Sequence, residues 1–159
     1  MATNGENAFQ LFQAGLGQPE GTGEWVQITQ DRIDAFAEVT EDRQFIHVDP
    51  EQCAQLSPWG VPIAHGFLTL SLLTHLCGSI PAPPERLTGI LMGVNYGFEK
   101  VRFVNPVKVG SRIRASSVLS GVEAKDPNTF QTTRTITVEI EGETKPALVA
   151  EWVTRLVYG

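Results

Sequence analysis

Polar and apolar residues alternate over residues 24–29 (EWVQIT), the two-residue period of a short half-buried strand. The period then changes. Thr29 is placed to cap a helix, Asp31 falls in its first turn, and Ile33, Phe36, Ala37 and Thr40 recur at i, i+3, i+4 and i+7. This spacing predicts an amphipathic helix of about three turns. Periodicity stops after Thr40. Residues 41–62 hold Pro50, Pro58, Pro62 and Gly60, so they read as a long loop, with room for one short helix from Pro50. A loop of that length in a small domain usually serves function or covers something. Residues 65–77 (HGFLTLSLLTHLC) contain no Asp, Glu, Lys or Arg. Their leucines cover most of a helical circumference, which predicts a buried central helix ended by Pro81, Pro83 and Pro84. His75 on it is expected to be a satisfied core or interface residue. Residues 90–104, 111–123, 130–141 and 147–158 read as strands separated by Gly, Pro, Asn or Asp clusters. Residues 1–24, with five glycines and the apolar group Phe9, Leu11 and Phe12, read as a loop-rich segment around one packed turn. The pattern predicts an α+β fold, an antiparallel sheet wrapped around one apolar helix.

Composition narrows the function classes. A chain of 159 residues suits a single domain able to build its own core. Twelve Lys and Arg against eighteen Asp and Glu leave a formal charge of −6, which argues against a general nucleic-acid or membrane-surface binder. No stretch of 18 apolar residues or more is available to span a bilayer, and no basic segment precedes an apolar run as in a secretory signal. The expectation is a cytoplasmic protein. Cys53 and Cys77 fit no zinc motif or disulfide framework and read as small buried hydrophobes.

Two features carry candidate chemistry. The loop holds Asp42 and His47, a carboxylate and an imidazole suited to moving protons near neutral pH. A turn-forming aspartate explains the same spacing. Ala64-His65-Gly66 opens the apolar helix, where free N–H groups point outward and glycine leaves the amide accessible. Such an amide can polarise a carbonyl, although an anion would use the same groups. Taken together, they supply proton transfer and carbonyl polarisation. That combination suits addition of water across a double bond conjugated to a thioester, or thioester hydrolysis.

Three ordered motifs now carry a resemblance: Thr40-Glu41-Asp42-Arg43-Gln44-Phe45-Ile46-His47-Val48-Asp49-Pro50, Ile63-Ala64-His65-Gly66-Phe67, and Val101-Arg102-Phe103-Val104-Asn105-Pro106-Val107-Lys108-Val109-Gly110-Ser111. Over residues 25–158 the chain resembles the MaoC-like family of (R)-specific enoyl-CoA hydratases, which have the hot-dog fold. The family's glycine, asparagine and proline in the first motif are here Glu41, Gln44 and Phe45. Gln44 keeps an amide, whereas Phe45 replaces a rigid turn-former and alters the loop path.

The resemblance implies that residues 1–159 form one hot-dog domain and that Asp42 and His47 hold a water which adds to a trans-2-enoyl-CoA. The Gly66 amide then polarises the thioester oxygen, and the product is an (R)-3-hydroxyacyl-CoA. It implies no metal and no redox cofactor, coenzyme A being part of the substrate, and a homodimer in which a second copy completes the unit. His65 is expected to support the loop or helix end beside the substrate, with Phe67 at the binding surface. Lys100, Arg102, Lys108, Arg112 and Arg114 form a stretch without Asp or Glu. Of these, Arg102, Arg112 and Arg114 are assigned to the phosphates of coenzyme A, against the alternative of solvated strand edges. The rivals are a hot-dog acyl-CoA thioesterase and a non-catalytic, nodulation-type acyl-CoA-binding relative.

Overall fold

The computed structural model describes residues 2–159. In chain order the elements are α1 (Asn4–Ala14), β1 (Pro19–Thr22), β2 (Val26–Gln27), α2 (Gln30–Thr40), α3 (Phe45–Val48), α4 (Pro50–Leu56), α5 (Gly66–Ser71), α6 (Leu73–Gly78), a 3-10 turn (Pro84–Leu87), β3 (Ile90–Phe103), β4 (Arg112–Asp126), β5 (Thr129–Ile140) and β6 (Leu148–Tyr158). The sheet is antiparallel in the order β1-β4-β5-β6-β3, with β2 also paired to β4. On β4, Ile113, Ala115, Ser117 and Leu119 point inward at every second residue, as one solvated and one buried face require. Leu68, Leu73 and Leu76 of the α5–α6 pair pack onto that inner face against Ile136, Val138, Leu148 and Ala150. The expected sheet around an apolar helix is therefore present. No helix of the described residues is long and apolar enough to cross a membrane.

Several expectations need correction. Residues 1–24 are not loop-rich, because α1 occupies Asn4–Ala14. Its start is a capping box: Glu6 N–H donates to Thr3 Oγ1 at 3.1 Å, and Thr3 N–H donates to Glu6 Oε2 at 2.8 Å. Gly5 is a close-approach residue rather than a breaker, since a Cβ there would lie 2.6 Å from the Pro127 carbonyl oxygen. Phe9 and Phe12 pack on Phe130, with ring centroids 5.6 and 5.2 Å apart. The single central helix is interrupted at Leu72, where the Ser71 hydroxyl donates to the Phe67 carbonyl at 2.7 Å, a bond that bends helices. Nor is the helix pair enclosed all round. Phe67, Ser71, Thr74 and His75 form an exposed stripe, so His75 is on the surface of the chain and not in its core. The expected strand over residues 24–29 shrinks to β2, because Thr29 is taken up as the cap of α2, accepting from Arg32 N–H at 3.3 Å. Cys53 is buried as expected, whereas Cys77 is half-buried and borders a cavity.

Glu41 explains one departure from the family motif. It ends α2 with φ of 62°, the left-handed conformation that a glycine adopts without strain, and it is the only non-glycine residue with positive φ among those described. Glu41→Gly should therefore stabilise the fold by about 1 kcal/mol in chemical denaturation, after the extra unfolded-state entropy of glycine is offset. A destabilised variant would show that Glu41 makes up the strain elsewhere.

Candidate active site

The loop after α2 folds because each short piece ends in its own cap. Asp49 caps α4, accepting from Gln52 N–H at 2.9 Å, and Pro50 sits at the first helical position. Phe45, in place of a turn-former, opens the one-turn helix α3 that carries His47, and Gln44 caps it without a side-chain hydrogen bond. His47 is buried beneath this turn. Its Nδ1–H donates to the Ile63 carbonyl at 2.7 Å; because that partner can only accept, Nε2 keeps its lone pair. Burial lowers the His47 pKa below its ordinary 6.5, with the neighbouring His65 adding to it, against opposition from the Ile63 bond and the Asp42 charge. The ring is therefore neutral near pH 7.

His65 precedes α5 and is buried between two rings, with Phe36 5.0 Å and His47 3.7 Å away by centroid. Its Nε2–H donates to the Asp42 carbonyl at 2.9 Å, while its Nδ1 is buried without a partner. A carboxylate oxygen of Asp42 and one ring nitrogen each of His47 and His65 all lie within 4.8 Å of one another. These donor types are those of a metal site. However, the two imidazoles are stacked with an interplanar angle of 22°, and near-parallel rings direct their in-plane lone pairs side by side rather than onto one ion.

Gly66 opens α5 next to this trio, and its N–H has no partner among the described residues. A Cβ at Gly66 would meet the Phe103 ring at 3.0 Å, so glycine relieves crowding here as well as leaving the donor open. A cavity of about 250 Å³ lies here, lined by His47, Gly66, Thr69, Phe103, Asn105 and Ala147 among others. Phe67 is 66% exposed and meets Phe103 edge-on at 5.8 Å, forming the rim. Sequence reasoning missed Thr69, Phe103 and Ala147 as lining residues. Only Phe103, inside the third quoted motif, carried a signal.

The three assigned arginines are not gathered here. Arg112 pairs with Glu141 at 3.1 Å and Arg114 with Glu139 at 2.6 Å, and both guanidiniums lie over Trp25. Neither lines the cavity beside Gly66. The stretch is unbalanced along the chain but balanced across the sheet, where β5 supplies the carboxylates. Arg102 is exposed and donates only to the Val101 carbonyl, at 2.8 Å, among the described residues.

An antiparallel sheet wrapped around a helix pair, with an Asp/His pair facing the uncapped helix start, defines a hot-dog domain. The chain belongs to the MaoC-like domain family, whose match runs over residues 12–141. It is 49% identical over 140 residues to nodulation protein N of Rhizobium leguminosarum bv. viciae, covering 87% of this chain and 84% of that one. It is 48% identical over 144 residues to 3-hydroxyacyl-thioester dehydratase Z of Mycobacterium tuberculosis, covering 91% and 92%. Among solved structures, the (R)-hydratase from A. caviae involved in PHA biosynthesis superposes with a TM-score of 0.68 at 26% identity, covering 87% of this chain and 94% of that one.

In an NMR titration the His47 ring should titrate below 6.5. The unfolded chain then takes up this proton before the folded one, so stability falls as pH drops below about 6.5. Asp42→Asn removes a charge that favours imidazolium and should move the midpoint lower still. An upward shift in that variant would contradict the assigned causes.

Proposed function

We propose that the protein catalyses reversible syn hydration of a trans-2-enoyl-CoA to an (R)-3-hydroxyacyl-CoA, and the reverse dehydration. The observation that carries this is the Asp42–His47 pair beside the open Gly66 N–H. His47 Nε2, with its lone pair free, takes a proton from a water held between it and Asp42. The hydroxide oxygen bonds to C3, the C2–C3 π pair moves toward the thioester, and the Gly66 N–H stabilises the negative oxygen that results. A proton returned from the dyad to C2 on the same face completes the addition. The dyad acts as a coupled pair, and no metal or redox cofactor enters. His65 positions Asp42 through the carbonyl bond. Exposed Arg102, next in the chain to Phe103, is the one assigned arginine without a carboxylate partner among the described residues, and it is proposed to meet the coenzyme A phosphates. The relatives named as a thioester dehydratase and an (R)-hydratase support the same chemistry.

Loss of enoyl absorbance with crotonyl-CoA tests the reaction. Asp42→Asn and His47→Ala should each abolish turnover with the fold intact, and Gly66→Ala, which keeps the N–H but crowds the Phe103 ring, should lower turnover by less than loss of the donor itself would. Near-normal hydration in either dyad variant, or release of free thiol in place of hydration, would overturn the assignment.

We also propose a homodimer joined along β3. Among the described residues this strand pairs only with β6 and leaves its other edge free, and it exposes Leu91, Met92, Val94 and Tyr96. A long apolar edge of this kind is stable only when covered. Light scattering should give twice the 17.4 kDa chain mass, and Val94→Lys with Tyr96→Lys should give monomer. A monomeric wild type would refute the pairing.

A further inference from the structure

A cavity of about 520 Å³ lies at the other end of the sheet's inner face, between α6 and the strands. Its wall is partly apolar, with Ile80, Trp152 and Leu156. It also contains an ion cluster that the proposed reaction does not use. Arg134 Nε–H donates to Glu20 Oε2 at 2.8 Å, Arg86 Nη1–H donates to Glu20 Oε1 at 3.2 Å, and the Ser117 hydroxyl donates to Glu20 Oε2 at 2.7 Å. All three charged side chains are largely desolvated, at 14% exposed for Glu20, 13% for Arg86 and 19% for Arg134. Two guanidiniums thus face one carboxylate, and no other Asp or Glu lines the cavity. A partly buried positive charge in excess is costly unless a counter-charge joins it.

The cluster is built into the fold. The Phe12 ring lies beneath both guanidiniums, 4.4 Å from Arg86 and 5.6 Å from Arg134. Gly15 leaves room for Arg86, whose guanidinium any Cβ there would strike. Arg134 Nη1–H donates to Thr132 Oγ1 at 2.8 Å, and Arg86 Nη2–H donates to the Leu11 carbonyl at 3.2 Å. Among the described residues this leaves Arg134 Nη2 and Arg86 Nε without partners.

We propose that this cavity binds a carboxylate carried on an apolar body, held by Arg134 and Arg86 with Glu20 fixing their forks. Two sources share that chemistry. One is the far end of the acyl chain of the thioester, which rests on the function proposed above. Thr74 and Cys77 of α6 line the cavity roughly 12 Å or more along the helix pair from Gly66, within reach of a medium-length acyl chain. The other source is a free organic acid bound independently of turnover.

Two measurements separate them. In the first, kcat/KM is compared for trans-2-enoyl-CoAs of matched length ending in a carboxylate or a methyl group. In the second, calorimetry compares octanoate with octanamide on the intact protein. A preference for the carboxylate of about tenfold or more is expected in at least one arm. Arg134→Gln should abolish that preference, and Glu20→Gln should increase it by removing the competing carboxylate. Misfolding would weaken both variants alike, so opposite signs identify the site. A preference in the first arm assigns the substrate's far end; in the second alone, a separate acid. If no enoyl-CoA is turned over, the function proposed above fails, and octanoate binding alone decides the cavity. Equal values in both arms, or a preference surviving Arg134→Gln, overturn the proposal.

Discussion

His65 donates Nε2–H to the carbonyl of Asp42 over 2.9 Å while its ring lies 3.7 Å from that of His47. It stands directly before α5, so one buried side chain joins the loop that carries the acid/base pair to the helix that offers the free amide. The distance between dyad and amide is thus held by this bond together with the His47–Ile63 bond and the Ile63–Ile46 backbone bond. His65 leaves Nδ1 buried and unpartnered, a cost of the order of 1–3 kcal/mol. Phenylalanine would avoid that cost but lose the bond to Asp42. The site accepts lower stability in exchange for placement, as buried unsatisfied polar groups in native proteins often indicate.

The same reasoning explains why the helix pair is buried on one side only. Leu68, Leu73 and Leu76 cover the sheet, and the opposite stripe of Phe67, Ser71, Thr74 and His75 stays open. That stripe runs from the small cavity at Gly66 toward the large one bordered by Thr74 and Cys77. The two differ in chemistry. One offers an amide and a neutral imidazole, the other two guanidiniums around one carboxylate. In that larger cavity, burial raises the Glu20 carboxyl, but Arg134, Ser117 and Arg86 together bring it below its usual range, so the cluster is charged at neutral pH. Burial pushes the neighbouring Cys77 thiol up to about 11.

Strand periodicity was legible for β4 to β6 because their burial largely alternates between a wet and a dry face and turns punctuate them, whereas β3, exposed over most of its length, was legible from its flanking turns and residue types alone. Helix α2 was legible from Thr29, Asp31 and its apolar stripe. The first 24 residues were misread because glycine has two uses. Gly5 permits close approach to the Pro127 carbonyl, which a sequence cannot distinguish from a flexible linker. The Thr3–Glu6 capping box was the signal available. In the site, the two motif residues Asp42 and His47 do come together with His65. The arginines did not follow, because pairing across strands depends on register. Arg114 faces Glu139 only once β4 and β5 are aligned.

The contact between Gly66 and Phe103 links two distant positions in a way that constrains how such a site can change over time. A side chain at 66 would crowd the Phe103 ring, so alanine or serine at the helix start requires the ring to give way or residue 103 to become smaller. A smaller residue 103 would widen the small cavity and remove the edge-on partner of Phe67. The two positions are therefore coupled. A change at the helix start is felt at the rim of the pocket, whereas the room around the donor can diversify while the donor itself stays glycine.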